Sequence, residues 1–129
     1  MPHMLHHVSF AVADLKRSAA FYDAALAALG YVRVWVDRTA VGYGTAQGQD
    51  LFAIKVNASG VVAPAPGFHL AFEAPSREAV ERFYIEAIAN GGQDNGAPGV
   101  RPNFGPNYFA AFVIDPDGYR IEAVINSPG

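Results

Sequence analysis

The sequence contains no cysteine, which excludes disulfide bonds, thiolate metal ligands and a cysteine nucleophile. It has no run of basic residues and a formal net charge of −3, so nothing indicates a nucleic-acid partner. No apolar stretch approaches the roughly 18 residues that a membrane-spanning helix needs. The N-terminus lacks the charged-then-apolar layout of a secretory signal. We therefore expect a cytoplasmic protein that acts on neither nucleic acid nor membrane.

The composition is typical of one globular domain. The 129 residues are 51% hydrophobic and 16% charged, and a chain of this length buries about two-thirds of its unfolded surface. Each half, at about 60 residues, is marginal for independent folding. We expect a single domain over residues 1–129. Its natural start could be Met1 or Met4, and His3 is expected to lie in a loose tail.

A sequence pattern recurs after 62 residues. His7-Val8-Ser9-Phe10 returns as His69-Leu70-Ala71-Phe72. The same spacing relates Phe21-Tyr22 to Phe83-Tyr84, Gly30 to Gly92, and Asp14 to Ser76, the last two being candidate helix N-caps. These coincidences predict a duplicated strand–helix unit. Each copy opens with a histidine on its first strand, and pairing of the halves would bring the two histidines together.

Hydrophobic periodicity and turn residues divide the chain into two α+β modules, at about 5–56 and 68–126, joined by a Pro/Gly-rich linker at 57–67. Asp14 and Ser76 are predicted to cap helices ending near Leu29 and Asn90. The predicted strands are 5–13, 31–36, 40–43, 51–56, 68–74, 108–114 and 119–125. The Gly/Pro/Asn-rich segment 94–107 is expected to be either poorly ordered or shaped around a ligand. Each module is expected to contain a curved antiparallel or mixed sheet.

Three side chains form a candidate metal site. His7 and His69 hold equivalent positions on the face opposite the large apolar residues, and Glu122 interrupts a strand built for a core. A buried carboxylate needs a partner, and two imidazoles with one carboxylate suit several divalent metals. The alternatives are hydrogen-bonded core histidines and an ion pair of Glu122 with Arg120 or Arg101. His6 competes with His7, although alternation places it on the Phe10 face.

The sequence resembles the vicinal oxygen chelate superfamily, the glyoxalase/bleomycin-resistance/extradiol-dioxygenase group. The resemblance rests on segments that cover nearly the whole chain: His7 to Asp14, Ser18 to Tyr22, Phe68 to Phe72, and Phe112 to Glu122 with its Asp115-Pro116-Asp117-Gly118 turn. The segment Asp94 to Pro102 resembles a glyoxalase-like subgroup whose members mostly lack an assigned reaction.

The resemblance implies paired βαβββ modules that form a cup-shaped mixed sheet with the helices outside. It also implies a homodimer that holds a divalent metal ion (Zn, Fe, Mn, Ni or Co) and a substrate that chelates the metal through adjacent oxygens. His7, His69 and Glu122 match ligand positions of the family. The strand at 51–56 has no carboxylate where glyoxalase-type enzymes supply a fourth ligand, which brings the site closer to the dioxygenase and thiol-transferase branches.

The function that follows is a glyoxalase-like, metal-dependent lyase or isomerase. Glu122 and Tyr108 are the candidate catalytic residues, and Arg101, Tyr43 and Tyr108 the candidate substrate-binding residues, with Tyr119 as a further candidate base. One alternative is a dimeric sequestering protein of the bleomycin-resistance type, whose cleft aromatics would be Trp35, Tyr43, Phe104 and Tyr108. The other is a dioxygenase, against which stands the lack of a further well-placed histidine.

Overall fold

The computed structural model describes residues 4–128, so the expectation for His3 lies outside the described residues. The first module contains β1 (Val8–Val12), α1 (Leu15–Ala27), β2 (Val32–Val36), β3 (Ala40–Gly44) and β4 (Asp50–Val56). The second contains β5 (Leu70–Glu73), α2 (Arg77–Ala89), β6 (Gln93–Asp94), β7 (Gly99–Val100), a 3₁₀ turn (Pro102–Phe104), β8 (Tyr108–Ile114) and β9 (Arg120–Asn126).

Each module forms its own mixed sheet. The strand order is β1-β4-β3-β2 in the first sheet and β5-β9-β8-β6 in the second, where β7 also pairs with β8. The strand before each helix pairs in parallel with the last strand of its module, and the other pairings are antiparallel. A parallel pair needs a crossover, which the helix supplies. The predicted α+β fold with two mixed sheets is confirmed; the second module has one strand more than the predicted βαβββ order.

The two helices begin where the sequence predicts. The Asp14 carboxylate accepts a hydrogen bond from the Arg17 amide at 3.0 Å, and the Ser76 hydroxyl accepts one from the Ala79 amide at 3.1 Å. Such caps satisfy amide groups that have no partner inside the helix. Among residues 4–128, no helix has the length and apolar character needed to cross a membrane.

The structure corrects the sequence prediction at two places. Strands β1 and β5 begin at Val8 and Leu70, later than predicted, so the residues before them do not follow the strand alternation. His6 lies before β1, and its ring packs against that of His7. In the segment 94–107, where the sequence predicts no strand, Gly99–Val100 pairs with β8.

Both modules contribute to one hydrophobic core. The helices α1 and α2 contact each other, and the buried cluster takes residues from all parts of both modules. Phe10 of β1 stacks on Tyr119 with ring centroids 4.1 Å apart, and Phe52 of β4 meets Phe72 of β5 at 5.2 Å. Each sheet therefore has a core face and an opposite face, which we call its open face.

A carboxylate anchor joins the β8–β9 turn to α1. Tyr22 donates to the buried Asp115 at 2.5 Å, and the other Asp115 oxygen accepts the amides of Asp117 and Tyr119. The Asp117 carboxylate accepts hydrogen bonds from Arg17 and Ser18 of α1 and from the Ala13 amide. Burial raises the pKa of Asp115, and its hydrogen bonds from Tyr22 and the backbone only partly oppose that rise.

The raised pKa of Asp115 sets the sign of its contribution to stability. The folded protein holds this proton more tightly than the unfolded chain, so stability falls as the pH rises from the ordinary carboxyl pKa of about 3.9. We expect Asp115→Asn to abolish this fall. Asp115→Ala should lower the free energy of unfolding by about 1–3 kcal/mol, because Tyr22 and two amides lose their acceptor. Urea unfolding at about pH 4, 5.5 and 7 measures both effects.

Asp37 provides a control of opposite sign. The Thr39 amide hydrogen bond lowers the pKa of this exposed carboxyl, so Asp37 contributes stability that is lost as the pH falls. Asp37→Asn should leave the loss with rising pH intact. An Asp115→Asn variant with the pH slope of the wild type would contradict the assignment.

Candidate metal-binding and substrate site

Glu122 is the centre of the candidate site. It lies in β9 between Ala71 of β5 and Phe112 of β8, its register partners on the two neighbouring strands. Ile121 and Ala123 face the core, so Glu122 belongs to the open face of the second sheet. Only 1% of Glu122 is exposed. A carboxylate removed from water to this extent depends on the hydrogen bonds that it accepts.

His69 provides the first contact of Glu122. Its Nε2 atom lies 3.0 Å from Glu122 Oε1, and its side chain is 52% exposed, so the imidazole can be reached from solvent. None of the ion pairs among residues 4–128 joins Glu122 to Arg120 or Arg101. The two arginine pairings that the sequence left open are therefore absent from the described structure.

Tyr108 provides the second contact. Its hydroxyl donates to Glu122 Oε2, the oxygen that His69 leaves free. Burial, with Glu122 as the next cause, raises the pKa of Tyr108 to about 12. The phenol thus keeps its proton at neutral pH and acts as a hydrogen-bond donor. Contacts with Tyr108 on one carboxylate oxygen and His69 on the other hold the orientation of Glu122.

The His69–Glu122 pair has the spacing of two adjacent metal ligands. Ligand atoms about 2.1 Å from one ion and at right angles to each other lie about 3.0 Å apart, and the two donor atoms here are 3.0 Å apart. Among residues 4–128, however, no three His, Asp or Glu side chains converge on one point. One chain therefore brings two of the three predicted ligands into contact.

His7 is not one of the side chains that contact Glu122 in the described structure. Its Nδ1 atom is 2.8 Å from Nδ1 of His6, so one of the two rings must donate the hydrogen between them. Both histidines line a cavity of about 500 Å³ between the first module and β5 of the second. Its mainly apolar walls include Tyr31, Tyr43, Phe52, Leu70 and Phe72. The pairing with His6 could not be read from strand alternation, which separates neighbouring side chains.

Two tyrosines considered as site residues are held in the core. Tyr43 donates to Asp23 of α1 at 2.8 Å, and burial raises the pKa of its hydroxyl. Tyr119 donates to the Ala11 carbonyl at 2.7 Å. The structure does not bring Tyr43 to Glu122, although it contributes to the wall of the 500 Å³ cavity.

Arg101 lies on the same open face as Glu122. Its guanidinium carbon is 5.2 Å from the centre of the Phe112 ring, and its Nη2 atom donates to the Ala97 carbonyl at 2.7 Å. Phe104 packs against Tyr108 with ring centroids 5.2 Å apart. Phe112 was not among the residues singled out from the sequence, because its position opposite Glu122 depends on the register of β8 and β9.

Comparison with known proteins identifies the family of the chain. The sequence model of the Glyoxalase/Bleomycin resistance protein/Dioxygenase superfamily matches residues 4–123. A glyoxalase/bleomycin resistance protein from Albidiferax ferrireducens is 32% identical with a TM-score of 0.80, over 95% of this chain and 98% of that one. A glyoxalase I mutant from Zea mays is 25% identical with a TM-score of 0.68, over 93% of this chain and 45% of that one.

Likeness in fold extends to more distant structures. A glyoxalase-related enzyme from Fulvimarina pelagi has a TM-score of 0.74 at 20% identity, over 97% of this chain and 89% of that one. No protein of curated function matches the sequence significantly. With the family pattern matched over nearly its full length, the chain belongs to the glyoxalase/bleomycin resistance protein/dioxygenase superfamily.

Proposed function

We propose that this protein is a glyoxalase-like, metal-dependent enzyme of the lyase or isomerase type. Its substrate is a small molecule that binds the metal through oxygen atoms. The observation that carries the proposal is the environment of Glu122, a carboxylate that is 1% exposed on an open sheet face and is contacted by His69 and Tyr108. His69 and Glu122 are the residues of one chain that would hold the metal.

A second copy of the chain would complete the ligand set. Both β1 and β5 are edge strands, and His7 and His69 directly precede them. The open faces of both sheets carry exposed apolar side chains, Leu51 on the first and Phe104 beside the second. In a twofold dimer, each first sheet would cover the partner's second sheet and bury these side chains. His7 of one copy would then meet His69 and Glu122 of the other, so the dimer would contain two equivalent sites.

The chemistry divides between metal and protein. A bound divalent ion would act as a Lewis acid that stabilises negative charge developing on a substrate oxygen. Tyr108 holds its proton and keeps Glu122 oriented. His69 would bind the ion through the nitrogen that faces Glu122.

The second candidate function is ligand sequestration without a metal. The cavity of about 500 Å³ favours it, because its size and its mainly apolar lining are those of a small-molecule pocket. Titration of the metal-free protein with hydrophobic small molecules tests this candidate. Tight binding by a protein that takes up no metal would replace the enzyme proposal with the sequestering one.

Metal content tests the ligand set. We expect about one divalent ion per chain after reconstitution, and its loss in His69→Ala, Glu122→Gln and His7→Ala, because each removes one of three ligands. Glu81→Gln is the matched control, since it removes an exposed carboxylate of α2. Elemental mass spectrometry after dialysis measures the content. Full metal content in His69→Ala would exclude this site.

Mixing two inactive variants tests whether the site is shared between chains. His7→Ala and Glu122→Gln homodimers should both lack metal. A refolded equimolar mixture should regain about a quarter of the wild-type metal, because half of the dimers are mixed and one of their two sites has all its ligands. Mixtures that regain none would place the complete site within one chain. The oligomeric state by light scattering is the accompanying control.

Tyr108→Phe tests the support that Tyr108 gives to Glu122. Losing the donor to one carboxylate oxygen should weaken metal affinity by about 10–100-fold, as removal of such supporting hydrogen bonds does in other metal sites. Tyr84→Phe, which removes the hydroxyl of a half-buried tyrosine of α2, should leave the affinity unchanged. Competition with a chromophoric chelator measures both. Wild-type affinity in Tyr108→Phe would show that this hydrogen bond does not support a metal site.

A further inference from the structure

The Arg101 guanidinium is packed in place. It stacks over the Phe112 ring at 5.2 Å and donates one hydrogen bond to the Ala97 carbonyl. Its backbone is fixed as well, because the Arg101 amide donates to the Tyr108 carbonyl at 2.8 Å. An arginine held on both backbone and side chain has less conformational freedom to lose when it binds a ligand.

Two glycines leave the space that the guanidinium occupies. A Cβ atom on Gly96 would lie 3.2 Å from Arg101 Nη2 and 3.0 Å from the Phe112 ring. A Cβ atom on Gly99 would lie 3.1 Å from Arg101 Nη1. Gly96 also has φ of +145°, which L side chains rarely adopt. The segment 94–107 is therefore shaped around this side chain.

The guanidinium has donors left over beside the Glu122 site. Phe112, which carries it, is the direct register partner of Glu122. Arg101 forms no ion pair within residues 4–128, and the hydrogen bond to Ala97 uses only one of its several N–H groups. A guanidinium without a carboxylate partner, packed on the residue that pairs with Glu122, matches an oxyanion that accepts two hydrogen bonds, such as a carboxylate or a phosphate.

We propose that Arg101 binds an oxyanion of the substrate, a carboxylate or a phosphate, while the oxygens of the same molecule reach the His69–Glu122 pair. This inference rests on the proposed function and deepens it by naming the substrate class: a small oxygenated acid. Arg101 is a substrate-binding residue in this assignment, and the Phe112 ring and the two glycines position it.

Titration of the metal-free protein tests the inference. Lactate and lactamide have the same shape but differ in charge, and inorganic phosphate represents the other oxyanion. We expect lactate or phosphate to shift the NMR signals of the Gly96 and Gly99 amides and of Arg101 Nε–H saturably, in the millimolar range. Lactamide should not shift them. The stronger of the two anions identifies the group. Equal shifts with lactate and lactamide, and none with phosphate, would overturn the assignment.

Three variants distinguish the contributions to anion binding of the Arg101 charge, of its paired N–H donors and of the overall charge of the protein. Arg101→Gln should weaken anion binding at least about tenfold, and Arg101→Lys should recover only part of it, because lysine keeps the charge without the paired N–H donors. Arg82→Gln removes an exposed charge from α2 and should bind as the wild type does. Anion binding that survives in Arg101→Gln would refute the role of Arg101.

Metal content distinguishes failure of this inference from failure of the proposed function. The Arg101→Gln protein should retain the metal of the wild type, since Arg101 is not a ligand. Anion binding at Arg101 in a protein that takes up no metal would support the anion site and refute the metal-dependent reaction. Metal uptake without anion binding would support the metal site and refute the role of Arg101.

Discussion

The single core shared by the two modules is the constraint on which the rest of the structure depends. Each helix packs on its own sheet, yet α1 and α2 also contact each other, and Phe10 of the first module stacks on Tyr119 of the second. Neither sheet can then use its open face to close a core. That face of the second sheet is left to carry Glu122, a residue that an ordinary core would exclude.

Polar contacts fix how the modules meet. Asp115 and Asp117 sit in one turn of the second module and bind side chains and an amide near the start of the first helix. These bonds add direction to a core whose apolar contacts are non-directional. The site around Glu122 uses the same principle at smaller scale, because a phenol and an imidazole orient its two oxygens.

Local chemistry made much of this predictable. Asp14 and Ser76 predicted the starts of the two helices, and the turn residues Asp115 to Gly118 predicted the last hairpin. Such predictions succeed because caps and turns depend on a few neighbouring residues. The special status of Glu122 followed from a charge in an apolar strand. The contact between His6 and His7 and the strand at Gly99 did not follow, since both depend on where the strands β1 and β8 begin and pair. Whether His7 meets His69 depends on the arrangement of whole modules or chains, which residue patterns do not encode.

The turn at residues 115–118 has a consequence for synthesis on the ribosome. The Ala13 amide reaches Asp117 across 104 residues of chain, and Tyr119 reaches the Ala11 carbonyl across 108. Contacts between such distant residues form slowly, because a long loop must close first. The first module is synthesised long before the second-module residues that pack on it leave the exit tunnel. Its core face is therefore uncovered during much of translation. The shared core can therefore close only after Tyr119 has left the ribosome, and chaperone demand should peak in the interval before that.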